Sequence, residues 1–324
     1  MTMIERWRHW FGRPAAAPPK RRIALALQGG GSHGAFTWGV LDRLLEDGRF
    51  EIGAISGTSA GALNGAVLVS GHAAGGASGA RAALAAFWRD ISAAGAGGAP
   101  TAQWVGRWFG ALGPYELNPL NLNPLRDVLR RHVDEAALRR GVPALHVAAT
   151  AVRSGRARIF SGQTLGIDAL LASACLPMLF RAVEIDGAPY WDGGYSANPA
   201  IHPLLRDGEG IDVILVRINP LWRAETPTAG ADIADRVNEL VFNASLLAEL
   251  RALTGRRGLR LHAIADDDAL APHGAASKLS TDRAFLQTLF SIGREAATSF
   301  LARHGDDVGR RASLDVAAAL ADQV

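Results

Sequence analysis

Two short apolar runs near the start of the chain each end in a glycine-rich turn and pass directly into a helical pattern. The first, Ile23-Ala24-Leu25-Ala26-Leu27, stops at Gly29-Gly30-Gly31-Ser32-His33-Gly34. Phe36, Val40, Leu41, Leu44 and Leu45 then recur at helical spacing as far as Gly48, a residue suited to a helix C-terminus. The second run, Phe50 to Ile55, leads into Gly57-Thr58-Ser59-Ala60-Gly61 and a small-residue helix to about Ser70. A short strand that is apolar on both sides is buried on both faces, and strand, turn and helix in succession build a parallel sheet. The expected fold is α/β, in three layers, with a mostly parallel central sheet flanked by helices.

The rest of the chain fits one domain of this kind. Residues 71–98, rich in Gly and Ala, read as helices with loose connections around a segment ending Phe87-Trp88, and residues 100–124 read as an irregular surface region. Leu145–Val152 and Arg156–Phe160 form an expected hairpin turning at Ser154-Gly155, and Asp212–Ile218 is a further buried strand. Asp232–Leu253 and Thr281–Arg303 read as long amphipathic helices packed on the sheet. Residues 21–324 are assigned to this domain and residues 1–20 to an N-terminal arm.

Composition narrows the function classes. With 324 residues, 48% of them hydrophobic, the chain can bury a large core, and disorder as a general description is excluded. Lys+Arg exceeds Asp+Glu by only 34 to 31, so no concentrated basic face is expected and nucleic acid is not an expected partner. Lys20 and Lys278 are the only lysines, and the arginine-, alanine- and glycine-rich background points to a GC-rich bacterial genome. The single cysteine, Cys175, has no internal disulfide partner, and no Cys/His spacing suits zinc, so no metal is expected. No run of about 18 apolar residues spans a bilayer and no signal-peptide core is visible, so the expectation is cytoplasmic, with any membrane contact peripheral. Oligomeric state has no signature in the sequence.

Three motifs bear on chemistry. In Gly57-Thr58-Ser59-Ala60-Gly61 a serine sits at a strand-to-helix turn, where its hydroxyl is held out of the sheet and the helix N-terminus favours negative charge. Gly29-Gly30-Gly31-Ser32-His33-Gly34 is a nest of backbone amides suited to an oxyanion or a phosphate. It satisfies G-x-G-x-x-G, but the next strand lacks the terminal acidic residue of a dinucleotide site, and Ala35-Phe36 replaces the Lys-Ser/Thr of a P-loop. Tyr190-Trp191-Asp192-Gly193-Gly194 places a carboxylate at a tight bend.

Together these motifs resemble the patatin-like phospholipases, a family of lipid acyl hydrolases, over roughly Ile23 to Ile218. The resemblance implies a Ser-Asp dyad of Ser59 and Asp192, with Gly29, Gly30, Gly31 and Gly34 as the oxyanion hole. Ala172-Ser173-Ala174-Cys175-Leu176-Pro177 resembles the family's site wall, and Asn198-Pro199 resembles the sequence after its dyad Asp, so Pro177, Asn198, Ala60 and His33 join the candidate wall. His33 stands where the family usually has Arg or Lys, and a neutral imidazole neutralises an oxyanion less well. The implied substrate is a phospholipid or other acyl ester, and no cofactor is implied.

Other readings stay open at this stage. His33 can be simply a first-turn helix residue, and the protein a silent lipid-binding member of the same fold or a nucleotide-binding one. His202 and His262 follow Asp192 in triad order, but read as a loop residue and a core histidine, and Cys175 reads as a small buried residue. Trp104, Arg107, Trp108 and Phe109 suit an interfacial flap, as do Trp7, Trp10 and Phe11 with Arg6, Arg8 and Arg13 in the arm.

Overall fold

A computed structural model describes residues 19–96, 113–205, 210–223 and 225–321. The flap residues Trp104 to Phe109 and nearly all of the arm therefore lie outside the described residues. The strands are β1 (Arg21–Leu27), β2 (Phe50–Thr58), β3 (Ala144–Ala151), β4 (Ala157–Ser161), β5 (Val183–Ile185), β6 (Ala188–Asp192), β7 (Ile211–Val216) and β8 (Leu259–Ile264). They form one sheet, with a parallel core in the order β3-β2-β1-β7-β8 and antiparallel additions β4, β6 and β5 around β3.

Among the described residues, the helices of seven residues or more are α1 (Gly34–Asp47), α2 (Ala60–Ala96), α3 (Pro124–His132), α4 (Ile167–Ser173), α5 (Gly230–Leu253) and α6 (Arg283–His304). Period-2 alternation along β1 divides the core. Ile23, Leu25 and Leu27 meet residues of α1, α2 and α6 on one face, while Ala24 and Ala26 join Leu246, Leu250 and Leu253 of α5 on the other. Helices thus cover both faces, giving the expected three layers. Helices α1 and α6 cross closely at Gly39 and Gly293, where an added Cβ would strike the partner's backbone at Phe290 and Phe36.

Three local expectations change. The helix after Ser59 runs a few residues past Ser70 to a break at Gly75-Gly76, where Gly76 has φ +61, and a second helix follows to Ala96, so that α2 is two helices joined at a kink. Small residues carry the first helix past Ser70, and the glycine pair, neither residue in helical geometry, breaks it. Strand β2 extends beyond Ile55 to Thr58, which brings it up to the serine. The end of the region read as irregular contains a short helix, Pro114–Leu117, and then α3, whose start is capped by Asn123.

Two features of the topology position the functional residues. The chain leaves β1 for β2 on one side and β7 lies on the other, so the glycine loop after β1 opens at a switch point, where α/β sheets form a crevice. The second feature is the shared side of β3. Ala144 to Ala148 pair there with β2, ending at Thr58, and Ala149 to Ala151 pair with β6, beginning at Asp192. Strand β4 occupies the opposite side of His146 to Thr150, so β6 takes over the side that β2 vacates. Asp192 holds the place on β3 that Ser59 would have taken had β2 run one residue further.

Candidate active site

Ser59 lies between β2 and α2 with φ 51, in the left-handed region that non-glycine residues seldom occupy. Its amide donates to Ser173 Oγ at 2.8 Å, from the last residue of α4, and Thr58 Oγ1 donates to Ala197 O at 2.6 Å. Both flanks of the turn are thereby tied to the neighbouring wall. The surroundings leave no room for side chains: a Cβ on Gly29 would lie 2.7 Å from Thr58 O and 2.8 Å from Ser59 Cβ.

The glycine loop divides into committed and uncommitted amides. Gly29 N donates to Asn198 Oδ1 at 2.7 Å, and the Gly34 N–H turns back on the carbonyls of Gly31 and Ser32. His33 N donates to Gly30 O at 3.2 Å. Among the described residues, the amides of Gly30, Gly31 and Ala60 donate to no protein acceptor. The N–H groups of Gly29 and Gly34 are thus spent on holding the loop, and their missing side chains admit Ser59 and Ala60. Gly31 adopts φ +57 and packs under the backbone of Lys278, which a Cβ would strike.

Asp192 is fully buried. Its Oδ1 accepts from Gly194 N at 2.7 Å, its amide donates to Cys175 O at 2.8 Å, and its carbonyl accepts from Thr150 Oγ1 at 2.7 Å. Oδ2 has no hydrogen bond of full geometry, although the Ser59 hydroxyl comes close enough to stabilise the charge. Burial pushes the carboxyl up to about 6, against the opposing effects of the Gly194 amide, the Ser59 hydroxyl and the charge of Lys278. It is ionised at neutral pH but more basic than an exposed aspartate.

The wall residues take separate parts. Asn198 is buried and braces the loop, its Nδ2 reaching Phe242 O at 3.1 Å. Ala60 is buried against Gly34, while Pro177 is half-buried in a turn. His33 is buried in a 3₁₀ turn before α1, and its Nε2 meets Ser277 Oγ at 2.7 Å. Ser277 Oγ itself donates to Gly274 O, so the imidazole is the Nε2–H donor and Nδ1 is left unpaired. Burial, with the charges of Lys278 and His273, lowers its pKa to about 3 and keeps it neutral.

The remaining candidates stand apart from Ser59. His202 is on an exposed turn against Glu249, and His262 is buried on β8 between Asp212 and Ser313. Cys175 is buried, and burial with the nearby Asp192 charge pushes its thiol up to about 12. Two residues of the site escape sequence reasoning, Asn219 and Lys278, while Ser173 entered it only as part of the wall segment from Ala172 to Pro177. Asn219, just beyond β7, donates from Nδ2 to Gly29 O at 2.9 Å and accepts from Lys278 Nζ at 2.8 Å. The one available signal was the rarity of lysine itself.

The fold is α/β with helices on both faces of one sheet, and it brings Ser59 and the buried Asp192 to one place on β3. The family model described as Patatin-like phospholipase matches residues 25–205, more than half of the chain, and the chain belongs to that family of lipid-hydrolysing enzymes. Similar solved structures include VipD from Legionella pneumophila, at 16% identity and TM-score 0.35, covering 84% of this chain and 67% of that one. The type III effector protein ExoU matches at 16% identity and TM-score 0.39, over 88% of this chain and 53% of its own. The ExoU-SpcU complex from the type III secretion system of Pseudomonas aeruginosa matches at 18% identity and TM-score 0.36, over 94% of this chain and 75% of that one. This chain thus spans about two thirds of the Legionella protein's length and about half of the first ExoU chain's. No curated protein matches it.

Proposed function

We propose that this protein hydrolyses fatty acyl esters, phospholipids among them, through Ser59 as nucleophile and Asp192 as its base. The observation behind this reading is the meeting of β2 and β6 on β3, which sets a buried carboxylate beside a serine in a strained elbow. Asp192 takes the Ser59 proton as the oxygen attacks the ester carbonyl, and the oxyanion receives hydrogen bonds from the amides of Gly30, Gly31 and Ala60. Collapse breaks the ester bond, and the alcohol leaves with the proton from Asp192. Asp192 then takes a proton from water, which attacks the acyl-serine, and collapse releases the fatty acid as Asp192 returns the proton to Ser59 Oγ. A carboxyl near 6 suits this cycle, being ionised at neutral pH yet basic enough to share a proton.

Contact with lipid is read as peripheral. No helix among the described residues is long and apolar enough to cross a membrane. Leu117, Leu120 and Leu122 are exposed, and Arg181 ties their segment to the site wall through Tyr115 O at 3.0 Å and Pro119 O at 3.2 Å. Met178, also exposed, lies on that wall.

The test is intact-mass spectrometry after fluorophosphonate treatment, followed by phospholipid and acyl-ester panels. One adduct on the wild type and none on Ser59→Ala is expected. A folded wild-type protein that takes no adduct would overturn the serine-hydrolase reading.

A further inference from the structure

We infer that Lys278 is a positioning residue for the proposed reaction: it supplies, from the C-terminal part of the chain and through Asn219, the positive charge that His33 cannot supply to the glycine loop. This inference rests on the hydrolase reading above.

The geometry is a chain of donors ending at the loop. Lys278 Nζ donates to Asn219 Oδ1 at 2.8 Å and to Asn238 Oδ1 of α5 at 2.7 Å. Because an ammonium only donates, Asn219 must turn its oxygen towards the lysine and its Nδ2 towards Gly29 O, which accepts at 2.9 Å. Gly29 C=O and Gly30 N–H belong to one peptide unit, and Gly30 N–H is among the uncommitted amides. Donation into the carbonyl end of a peptide strengthens its N–H as a donor, and each link of such a chain polarises the next. Positive charge at Lys278 is therefore felt at Gly30 N–H, where the oxyanion is to form.

The surroundings fit a cation kept in place. Lys278 Nζ lies 5.5 Å from the centre of the Phe242 ring. Its own backbone covers Gly31, so the residue is fixed against the loop at both ends. Arginine supplies every other cation in the chain except Lys20, yet this position holds a compact ammonium with a single point of charge. His33, the loop residue that would otherwise bear charge, is buried and neutral.

The charged groups around Lys278 are Glu239 and Asp235 of α5, Arg223 of the loop before it, and Asp192 of β6. Burial brings the lysine down to about 8, with Glu239, Asp235 and Asp192 acting to hold its proton and Arg223 acting against it. Its charge also favours ionised Asp192.

The experiment measures fluorophosphonate labelling and acyl-ester hydrolysis against pH for wild type, Lys278→Met and Lys278→Arg, with circular dichroism to verify folding. Lys278→Met is expected to lower kcat about 10–100-fold with little change in KM, because the charge acts on the transition state. Its acid limb should also move to higher pH, as Asp192 loses a stabilising charge. Wild type should lose rate above about pH 8 as the ammonium deprotonates, and Lys278→Arg should keep its rate there. The wild-type and Arg profiles keep the test informative if the Met variant does not fold. A folded Met variant with the wild-type kcat and pH profile overturns the inference, as does a wild-type rate that stays flat across pH 8. In either case labelling of wild-type Ser59 leaves the hydrolase reading standing, whereas an unlabelled wild type removes both.

Discussion

Replacing Asp192 by Asn should abolish activity and stabilise the fold, and the two effects should have different pH dependences. The carboxyl rises from 3.8 to about 6 because burial penalises its charge. That difference corresponds to about 3 kcal/mol of unfavourable ionisation in the folded state at neutral pH. A group whose folded pKa is raised contributes stability below its unfolded pKa and loses it as pH rises through the folded value. Asn is never charged, and its Oδ1 can still accept from Gly194 N. The gain for Asp192→Asn should then be about 1–3 kcal/mol, or roughly 2–4 °C in Tm, at neutral pH and above. Below about pH 4 both states of the wild type hold the proton, and the melting temperatures should converge. Wild-type labelling should meanwhile be about tenfold slower at pH 5 than at pH 7, following the ionised fraction, and Asn should lower it by roughly 10²–10⁴. Differential scanning calorimetry and timed labelling over that range measure both. A Tm difference that is independent of pH or favours the wild type, or wild-type labelling rates in the Asn variant, would refute the assignment of a buried base.

Other perturbations follow from the same structure. Ser173→Ala leaves the buried Ser59 N–H without its acceptor, and should reduce stability by about 1–3 kcal/mol and slow labelling, as thermal melts and adduct kinetics would show. Asp212→Asn should reduce stability by about 3 kcal/mol without altering the labelling profile, because it opens a buried cluster with Arg260, His262 and Gly309 N. Burial alone would raise that carboxyl, but the hydrogen bonds from His262, Arg260 and the Gly309 amide hold it well below the usual carboxylate range. Its contribution is present above the ordinary carboxylate pKa of about 3.9 and is lost as pH falls below it, so acid titration of both proteins should bring them together. Gly293→Val forces α1 and α6 apart at Phe36 and should cost at least about 1–3 kcal/mol, seen as a lower urea midpoint.

The sequence alone determined the pieces that depend on neighbours within a few residues. Apolar runs, glycine turns and helical spacing announced β1, α1 and β2, and turn chemistry singled out Ser59, the glycine loop and Asp192 as residues at bends. The hairpin of β3 and β4 and the helices α5 and α6 were legible for the same reason. The Gly75-Gly76 bend was less so, since small residues favour continuation and interruption almost equally. Only the tertiary structure decided what the bends face. The register by which β6 replaces β2 on β3 joins residues more than a hundred positions apart, and no local pattern encodes it. The same holds for the division of the loop amides, because Asn198 and the helical turn claim those of Gly29 and Gly34 and leave Gly30 and Gly31 open. Asn219 and Lys278, 59 positions apart in the chain's last third, meet the loop only once β7 lies beside β1 and α5 covers the sheet. Hydrogen bonds and burial act between atoms close in space, and folding alone brings those atoms together.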